Sequence, residues 1–426
     1  MCRSCMKGIS LDGTAPACYN RKKRFCRSRG MARYGEKIMT EKLYYQDSHR
    51  KEFEAQVVSC QWNEKKEWYE VILDRTVFFP EGGGQYADPG VIDGIPVEDV
   101  KEREGEVIHM MKKPLMPGQT VHGEIDYKER FSRMQQHSGE HIVSGLVHRY
   151  FGYDNVGFHL GNEAVTLDFN GTFEPGQLRR IETEANEAVA ANLEIRVEYP
   201  TREELAALEY RSKKELAGQV RIVTVPGYDV CACCAPHVSR TGEIGLIKLV
   251  DAVNYKGGTR VTMVCGFRSL EDYRMKEDNV REISRLLSAK PYEAAEAVER
   301  LREEALLWKG RAIQMQTRYL EKKLEDLPEG TVNYFVFEED LDKNAVRRFV
   351  DAGKEKCSGV CGIFLGKEEG GYQFTLGSNS IDLKQVLKEF YSHFEGRGGG
   401  KGPMVQGTVQ GDPKAIEDCL CKIISL

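Results

Sequence analysis

Two histidines four residues apart, in His137-Ser138-Gly139-Glu140-His141, open an apolar run, Ile142-Val143-Ser144-Gly145-Leu146-Val147. On a helix, residues i and i+4 share a face with about 5–6 Å between Cβ atoms, so two imidazoles there can converge on one ion. A later stretch, Cys231-Ala232-Cys233-Cys234-Ala235-Pro236-His237, repeats the four-residue spacing between Cys233 and His237. A borderline-soft d10 cation favours a mixed nitrogen and sulfur set, and four such groups from two distant segments make a closed or nearly closed tetrahedron. His137, His141, Cys233 and His237 are therefore read as one zinc site, with Cys231 and Cys234 as reserve ligands. Paired histidines on a surface helix are ordinary, so the reading leans on the second pair: of nine histidines in the chain, three fall in these two pairs. The protease pattern H-E-x-x-H fails on order, because Glu140 precedes the second histidine. Glu140 is read as a solvated or supporting carboxylate.

A chain of 426 residues is long for one core, and two to four domains are expected. A content of 41% hydrophobic and 30% charged residues describes a soluble globular protein without a membrane-spanning run. Thirteen cysteines are too sparse for a disulfide scaffold, and the odd count with adjacent Cys233-Cys234 suits a reducing compartment, so the cytoplasm is expected. Residues 1–38 hold ten Lys and Arg against two acids, a net of +8, which leaves −13 for the rest of a chain whose total is −5. An acidic body does not advertise nucleic-acid binding, and any RNA contact must rest on local basic patches and shape.

The elements that must position the site follow from pattern. Residues 1–38 show neither helical nor strand period and are read as a disordered or mis-called start. Residues 39–128 carry short alternating runs such as Trp68-Tyr69-Glu70-Val71-Ile72-Leu73, which suggest a small β-barrel. Within it lies Thr76-Val77-Phe78-Phe79-Pro80-Glu81-Gly82-Gly83-Gly84-Gln85; by itself this is a hairpin turn, or glycines that admit close backbone approach. Residues 129–268 hold the metal ligands among helices and a mostly antiparallel sheet, with His159 either lining the pocket or packed. Residues 269–327 read as a helical stalk broken near Pro291. Its second helix, of about 35 residues, places Val298, Leu301, Ala305, Trp308, Ala312, Met315 and Tyr319 at heptad spacing, for a dimer or an intramolecular hairpin. Residues 328–426 alternate strand and helix as an α/β domain. Arg397-Gly398-Gly399-Gly400-Lys401-Gly402-Pro403 within it is a phosphate-contacting nest or a plain loop. The fold class expected is α+β multidomain.

Taken together, the glycine triplet with Gln85, the H-x-x-x-H preceded by Arg133-Met134-Gln135-Gln136, and the C-x-x-x-H followed by Val238-Ser239-Arg240-Thr241-Gly242-Glu243-Ile244-Gly245 resemble the editing domain of alanyl-tRNA synthetases. The resemblance is strongest to the freestanding alanyl-tRNA editing proteins of the longer form, and the segment from Arg397 onward resembles the synthetase C-terminal domain shared with DHH phosphoesterases. It implies zinc-dependent hydrolysis of tRNA(Ala) mischarged with serine or glycine, with Gly83, Gly84, Gln85 and Thr241 near the acyl group and Arg397 and Lys401 on the tRNA. In this reading the stalk and C-terminal domain hold either the tRNA elbow or a second copy of the chain, as a homodimer. No segment ahead of the barrel is long enough for an aminoacylation domain, so removal of amino acids, and not attachment, is expected. The alternative is a zinc-stabilised tRNA-binding module without hydrolysis. Two departures stand out: Glu140 replaces the usual small or hydroxyl residue before the second histidine, and Cys234-Ala235-Pro236 replaces Gly-Gly-Thr.

Overall fold

In the computed structural model, which describes residues 39–161, 163–212, 219–400 and 402–425, a short strand β1 (Glu41–Lys42) and one helical turn α1 (Leu43–Gln46) precede β2 (Glu52–Asn63). The expectations for residues 1–38 and for Lys401 lie outside the described residues. In β2, buried Phe53, Ala55 and Val57 alternate with exposed Glu52, Glu54 and Gln56, as a strand with one wet face requires. Then come β3 (Trp68–Leu73), β4 (Arg75–Thr76), β5 (Gly90–Ile92), β6 (Ile95–Arg103), β7 (Glu106–Met111) and β8 (Thr120–Ile125). Strands β2-β3-β7-β6-β5-β8 close into a barrel, with β8 pairing back onto β2 from Glu52↔Glu124 to Gln56↔Thr120. Its interior is filled by Phe53, Val57, Val71, Leu73, Phe78, Val100, Val107 and Val121.

A histidine and its hydroxyl partner are sealed inside that barrel. His109 on β7 is fully buried, with its ring nitrogens against the Thr76 hydroxyl at 2.9 Å and the Val71 carbonyl at 3.2 Å. Burial pushes its pKa down to about 4 from 6.5, against the Val71 bond, which favours the proton. The unfolded chain binds a proton on this residue below pH 6.5 and the folded barrel refuses it until about pH 4, so stability falls as pH drops across that window. The expected loss is about 3 kcal/mol. Urea denaturation at pH 7 and pH 4.5 checks it: His109→Gln should flatten the dependence, and an unchanged slope would remove His109 as its source.

After the barrel, α2 (Tyr127–Phe151) starts on an Asp126 cap that accepts from the Glu129 amide and stops at left-handed Gly152. Residues 133–147 of α2 are all buried, because the helix is covered on every side. A Cβ on Gly139 would stand 2.4 Å from Cys265 Sγ, and one on Gly145 would stand 2.3 Å from the Tyr228 carbonyl oxygen. These two glycines let α2 lie directly on its neighbouring strands, which brings the histidine pair to the later ligands. The elements that follow are β9 (Asn155–Leu160), β10 (Val165–Phe169), α3 (Gln177–Ala190), β11 (Arg196–Glu198), α4 (Arg202–Ala207), β12 (Ile222–Val225), β13 (Asp229–Ala232), β14 (Ile247–Tyr255) and β15 (Gly258–Cys265), of which α3, β9, β13 and β15 pack on α2. The strands form two antiparallel sheets, β14-β15-β10-β9 and β11-β12-β13.

The chain is thus a mixed α/β, multidomain protein, and its packing separates two units, one ending at Met275 and one beginning at Lys276. The barrel and the metal-ligand segments share the first unit. Helix α5 (Phe267–Leu287) spans the boundary; a turn of 3-10 helix at Pro291–Glu293 then leads to α6 (Ala294–Glu325).

In the second unit, β16 (Tyr334–Glu338), α7 (Lys343–Lys356), β17 (Cys361–Lys367), β18 (Gly371–Gly377), α8 (Leu383–Phe390), β19 (Gly396–Gly399), β20 (Met404–Val409) and α9 (Pro413–Ile424) build a sheet of order β16-β17-β18-β20-β19 with helices packed on it. Within the stretch from Arg397, Gly396–Gly399 is a strand, with Arg397 opposite Thr408. One of its glycines serves packing, since a Cβ on Gly398 would stand 2.6 Å from the Tyr391 hydroxyl, whereas one on Gly399 would meet nothing within 4 Å. Of α6, Leu320 and Leu324 enter this unit's core, while Val298, Leu301, Trp308 and Met315 are exposed. Among the described helices none is long and apolar enough to cross a membrane.

Candidate metal centre

Helix α2 delivers His137 and His141 one turn apart, and the loop after β13 delivers Cys233 and His237. Their donor atoms all lie within 4.8 Å of one another. Cys233 Sγ is 3.5 Å from His137 Nε2 and 3.3 Å from His237 Nε2, and the His141 and His237 ring centroids are 4.6 Å apart. The three histidines are buried, each no more than 3% exposed.

The far nitrogen of each ring is held. His137 Nδ1 faces Gln85 Oε1 at 3.2 Å, His141 Nδ1 faces Asp229 Oδ2 at 2.9 Å, and His237 Nδ1 faces Ser138 Oγ at 3.0 Å. With each Nδ1 occupied, Nε2 is left to point at a shared ion, the arrangement by which proteins orient metal-binding histidines. Burial alone would raise the Cys233 pKa, but the neighbouring imidazoles, His137 first and then His141 through its hydrogen bond, hold it well below the ordinary thiol value. A thiolate is the form that ligates metal. Burial pushes His237 down to about 3, which keeps it neutral. Donor chemistry, convergence and supported Nδ1 atoms all fit a zinc ion.

The glycine loop reaches this cluster because of a buried ion pair. Arg130 on α2 and Asp88 have fully buried side chains, with Arg130 Nε donating to both Asp88 oxygens at 2.9 and 3.0 Å. Arg130 also donates to the carbonyls of Ser48 and Val77, at 3.1 and 2.6 Å, while Asp88 accepts from the Phe79 amide at 2.6 Å. The loop from Phe79 to Asp88 is therefore closed on itself and pinned to α2. At its tip Gly84 has φ +82°, and a Cβ there would meet Phe158 Cδ1 at 2.5 Å. Gly83, at φ +60°, faces Cys234 Sγ. Only glycine permits both the backbone and the contact. Gln85 is thus delivered to His137; its Nε2 is buried without a partner among the described residues, and so is the Tyr44 hydroxyl.

Other expected residues are placed differently. Glu140 is not solvated: it is 2% exposed, and its Oε1 accepts from Ser144 Oγ and Asn155 Nδ2, both at 2.7 Å. The Thr241 hydroxyl is buried and committed to backbone, donating to the Ala188 carbonyl at 2.6 Å and accepting from the Leu193 amide at 2.7 Å. His159 is exposed and edge-on to Tyr86, with ring centroids 6.0 Å apart. Cys231 is buried near His141 and Asp229, and Cys234 lies against the glycine loop.

Profiles of three families match the chain: the threonyl and alanyl tRNA synthetase second additional domain over residues 220–282, tRNA synthetases class II (A) over 21–129, and the DHHA1 domain over 329–426. The alanyl-tRNA editing protein AlaX-L of Pyrococcus horikoshii is 28% identical over 413 residues, 89% of this chain and 97% of that protein. The alanyl-tRNA editing protein Aarsd1 of Danio rerio is 32% identical over 60% of this chain and 66% of its own length. The chain belongs to the alanyl-tRNA editing family. It is also 35% identical to the alanine–tRNA ligase of Halobacterium salinarum over 68% of this chain, but spans only 32% of that enzyme.

For this editing-family member, sequence reasoning missed the residues that support the ligands: Ser138, Asp229, Arg211, Asp88, Arg130 and Arg221. Arg221 holds the ligand loop from outside, donating to the Cys233 and Ala235 carbonyls at 2.8 and 3.0 Å with its guanidinium over Tyr45. A signal existed for Ser138, which lies inside the histidine motif, and for Asp229, which shares an alternation with Cys231 and Cys233. Arg130 and Asp88 had none, since their pairing spans two segments with no common motif.

Proposed function

We propose that this chain hydrolyses the ester joining a non-cognate amino acid, chiefly serine with glycine second, to the terminal adenosine of tRNA(Ala), using zinc held by His137, His141, Cys233 and His237. The observation that carries the reading is the convergence of those four donors beside Gln85 on the glycine loop. When bound, zinc supplies positive charge that polarises an ester carbonyl and lowers the pKa of water. The protein's own groups orient and select. Gln85 Oε1 accepts from His137 Nδ1–H, which leaves its buried Nε2 as a donor for a side-chain hydroxyl. Phe79, Ala235 and the Phe158 ring wall the site and exclude water. A site built to hydrogen-bond a hydroxyl disfavours the analogue lacking it, because its polar group is then buried unpaired.

Release of labelled serine from Ser-tRNA(Ala), measured beside alanine release from Ala-tRNA(Ala), tests this. Serine release with alanine spared is expected, and Gln85→Ala should narrow that ratio by about 5–100-fold, the cost of one buried polar group left unmatched. Release from neither substrate by zinc-loaded protein would favour a tRNA-binding module instead.

In the same reading Arg397, exposed on β19, contacts tRNA phosphate, and α6 pairs with a second copy of the chain. Support for pairing is the exposed stripe of Val298, Leu301, Trp308 and Met315 on a helix of about 48 Å. Sedimentation should show a dimer that Leu301→Glu with Trp308→Glu converts to monomer; a wild-type monomer at micromolar concentration would end this part of the reading.

A further inference from the structure

The three imidazoles are not supported alike. Behind His137 stands a neutral amide, Gln85, and behind His237 a neutral hydroxyl, Ser138, which itself accepts from the Val238 amide at 3.3 Å. Behind His141 stands the carboxylate of Asp229, 2.9 Å from Nδ1, and that carboxylate is gripped by Arg211 through Nε to Oδ1 at 2.7 Å and Nη2 to Oδ2 at 2.9 Å. The Asp229 side chain is 2% exposed and that of Arg211 15%.

This clamp is built into the ligand strand. The Arg211 amide donates to the Val230 carbonyl at 2.8 Å and the Ala232 amide to the Arg211 carbonyl at 2.9 Å, so Arg211 is stitched alongside β13 just before Cys233. Both oxygens of Asp229 are engaged, by Arg211 and by His141, so the buried trio His141, Asp229 and Cys231 is a support and not a second ion site. Taking a carboxylate out of water is costly unless it is paired and hydrogen-bonded. An amide or hydroxyl would have oriented His141 without that cost, as Gln85 and Ser138 do for the other two rings. What only the carboxylate adds is electron density: accepting from Nδ1–H, it makes the opposite nitrogen a stronger donor.

We infer that Asp229, clamped by Arg211, is a positioning residue that makes His141 the most firmly held of the three histidine ligands. The inference deepens the zinc part of the proposed function, and its test uses no tRNA. Zinc affinity of the full chain is measured by competition with a chromophoric chelator, together with the rise in thermal midpoint that zinc produces. Asp229→Asn is expected to weaken zinc about 10–100-fold. Ser138→Ala should cost about fivefold, the size of one neutral hydrogen bond.

Because Asp229→Asn leaves Arg211 without its counter-charge and can fail to fold, Arg211→Lys serves as the second variant; it keeps the charge, loses the fork and should fall between the other two. A merely structural role would lower the midpoints of metal-free and zinc-loaded protein together, whereas here the zinc-induced rise shrinks. Asp229→Asn or Arg211→Lys binding zinc as wild type does, or Ser138→Ala as damaging as Asp229→Asn, overturns the inference. These outcomes are separable from the deacylase reading: equal affinities leave serine release untouched, and absent serine release leaves the affinities standing.

Discussion

Cys233→Ala is expected to strip zinc from the protein and to abolish serine release with it. Cys233 is the one anionic donor among the four; the other three are imidazoles, one of which burial keeps neutral to about pH 3. Removing the thiolate takes away both a bond and the charge that balances a divalent cation in a buried site. Loss of a residue that only supports a ligand costs about 10–100-fold in metal affinity, and loss of the ligand itself should exceed that. The readouts are metal content after dialysis and labelled serine released from Ser-tRNA(Ala), on the same preparation. Full zinc occupancy and an unchanged rate in Cys233→Ala would show that the site lies elsewhere.

The second large effect is on stability. Asp88→Ala would leave the Arg130 guanidinium fully buried, with two backbone carbonyls as partners and no counter-charge. Breaking a buried pair from one side costs about 3–5 kcal/mol, because a charge remains in a medium that solvates it poorly. The Phe79 amide loses its acceptor in the same step, so the loop carrying Gln85 is released from α2. Urea unfolding monitored by far-ultraviolet circular dichroism measures the loss. Asp88→Leu combined with Arg130→Met should recover much of it, since an apolar pair of similar volume carries no desolvation cost. A change under about 1 kcal/mol for Asp88→Ala would mean that water reaches the arginine and that the loop is held by its own turn.

Much of this molecule is written in local pattern. Alternation in Glu52–Asn63 and the apolar run after His137 specify a strand and a buried helix, because period-two and helical periods are properties of a single segment. The spacing that joins His137 to His141 and Cys233 to His237 is likewise local, and the structure brings the four together within 4.8 Å. Where the reading failed, a local signal had two physical outcomes. A glycine beside Arg397 looks the same whether it frees a backbone for phosphate or makes room for a ring; at Gly398 the ring is that of Tyr391, which belongs to another element. Thr241 and Glu140 are polar residues beside motif positions, and only their partners, Ala188, Leu193, Ser144 and Asn155, show that their polarity is spent inside the protein.

The sequence by itself determined the types and spacing of the candidate ligands, the secondary elements that carry them and the family. Only tertiary structure decided which groups stand behind each histidine, that Asp229 is charged and clamped while Ser138 is neutral, and that Arg130 and Asp88 hold the glycine loop against α2. The reason is physical: hydrogen bonds and buried charge pairs join atoms a few ångströms apart whose residues are tens of positions apart in the chain, and no period or motif encodes that distance.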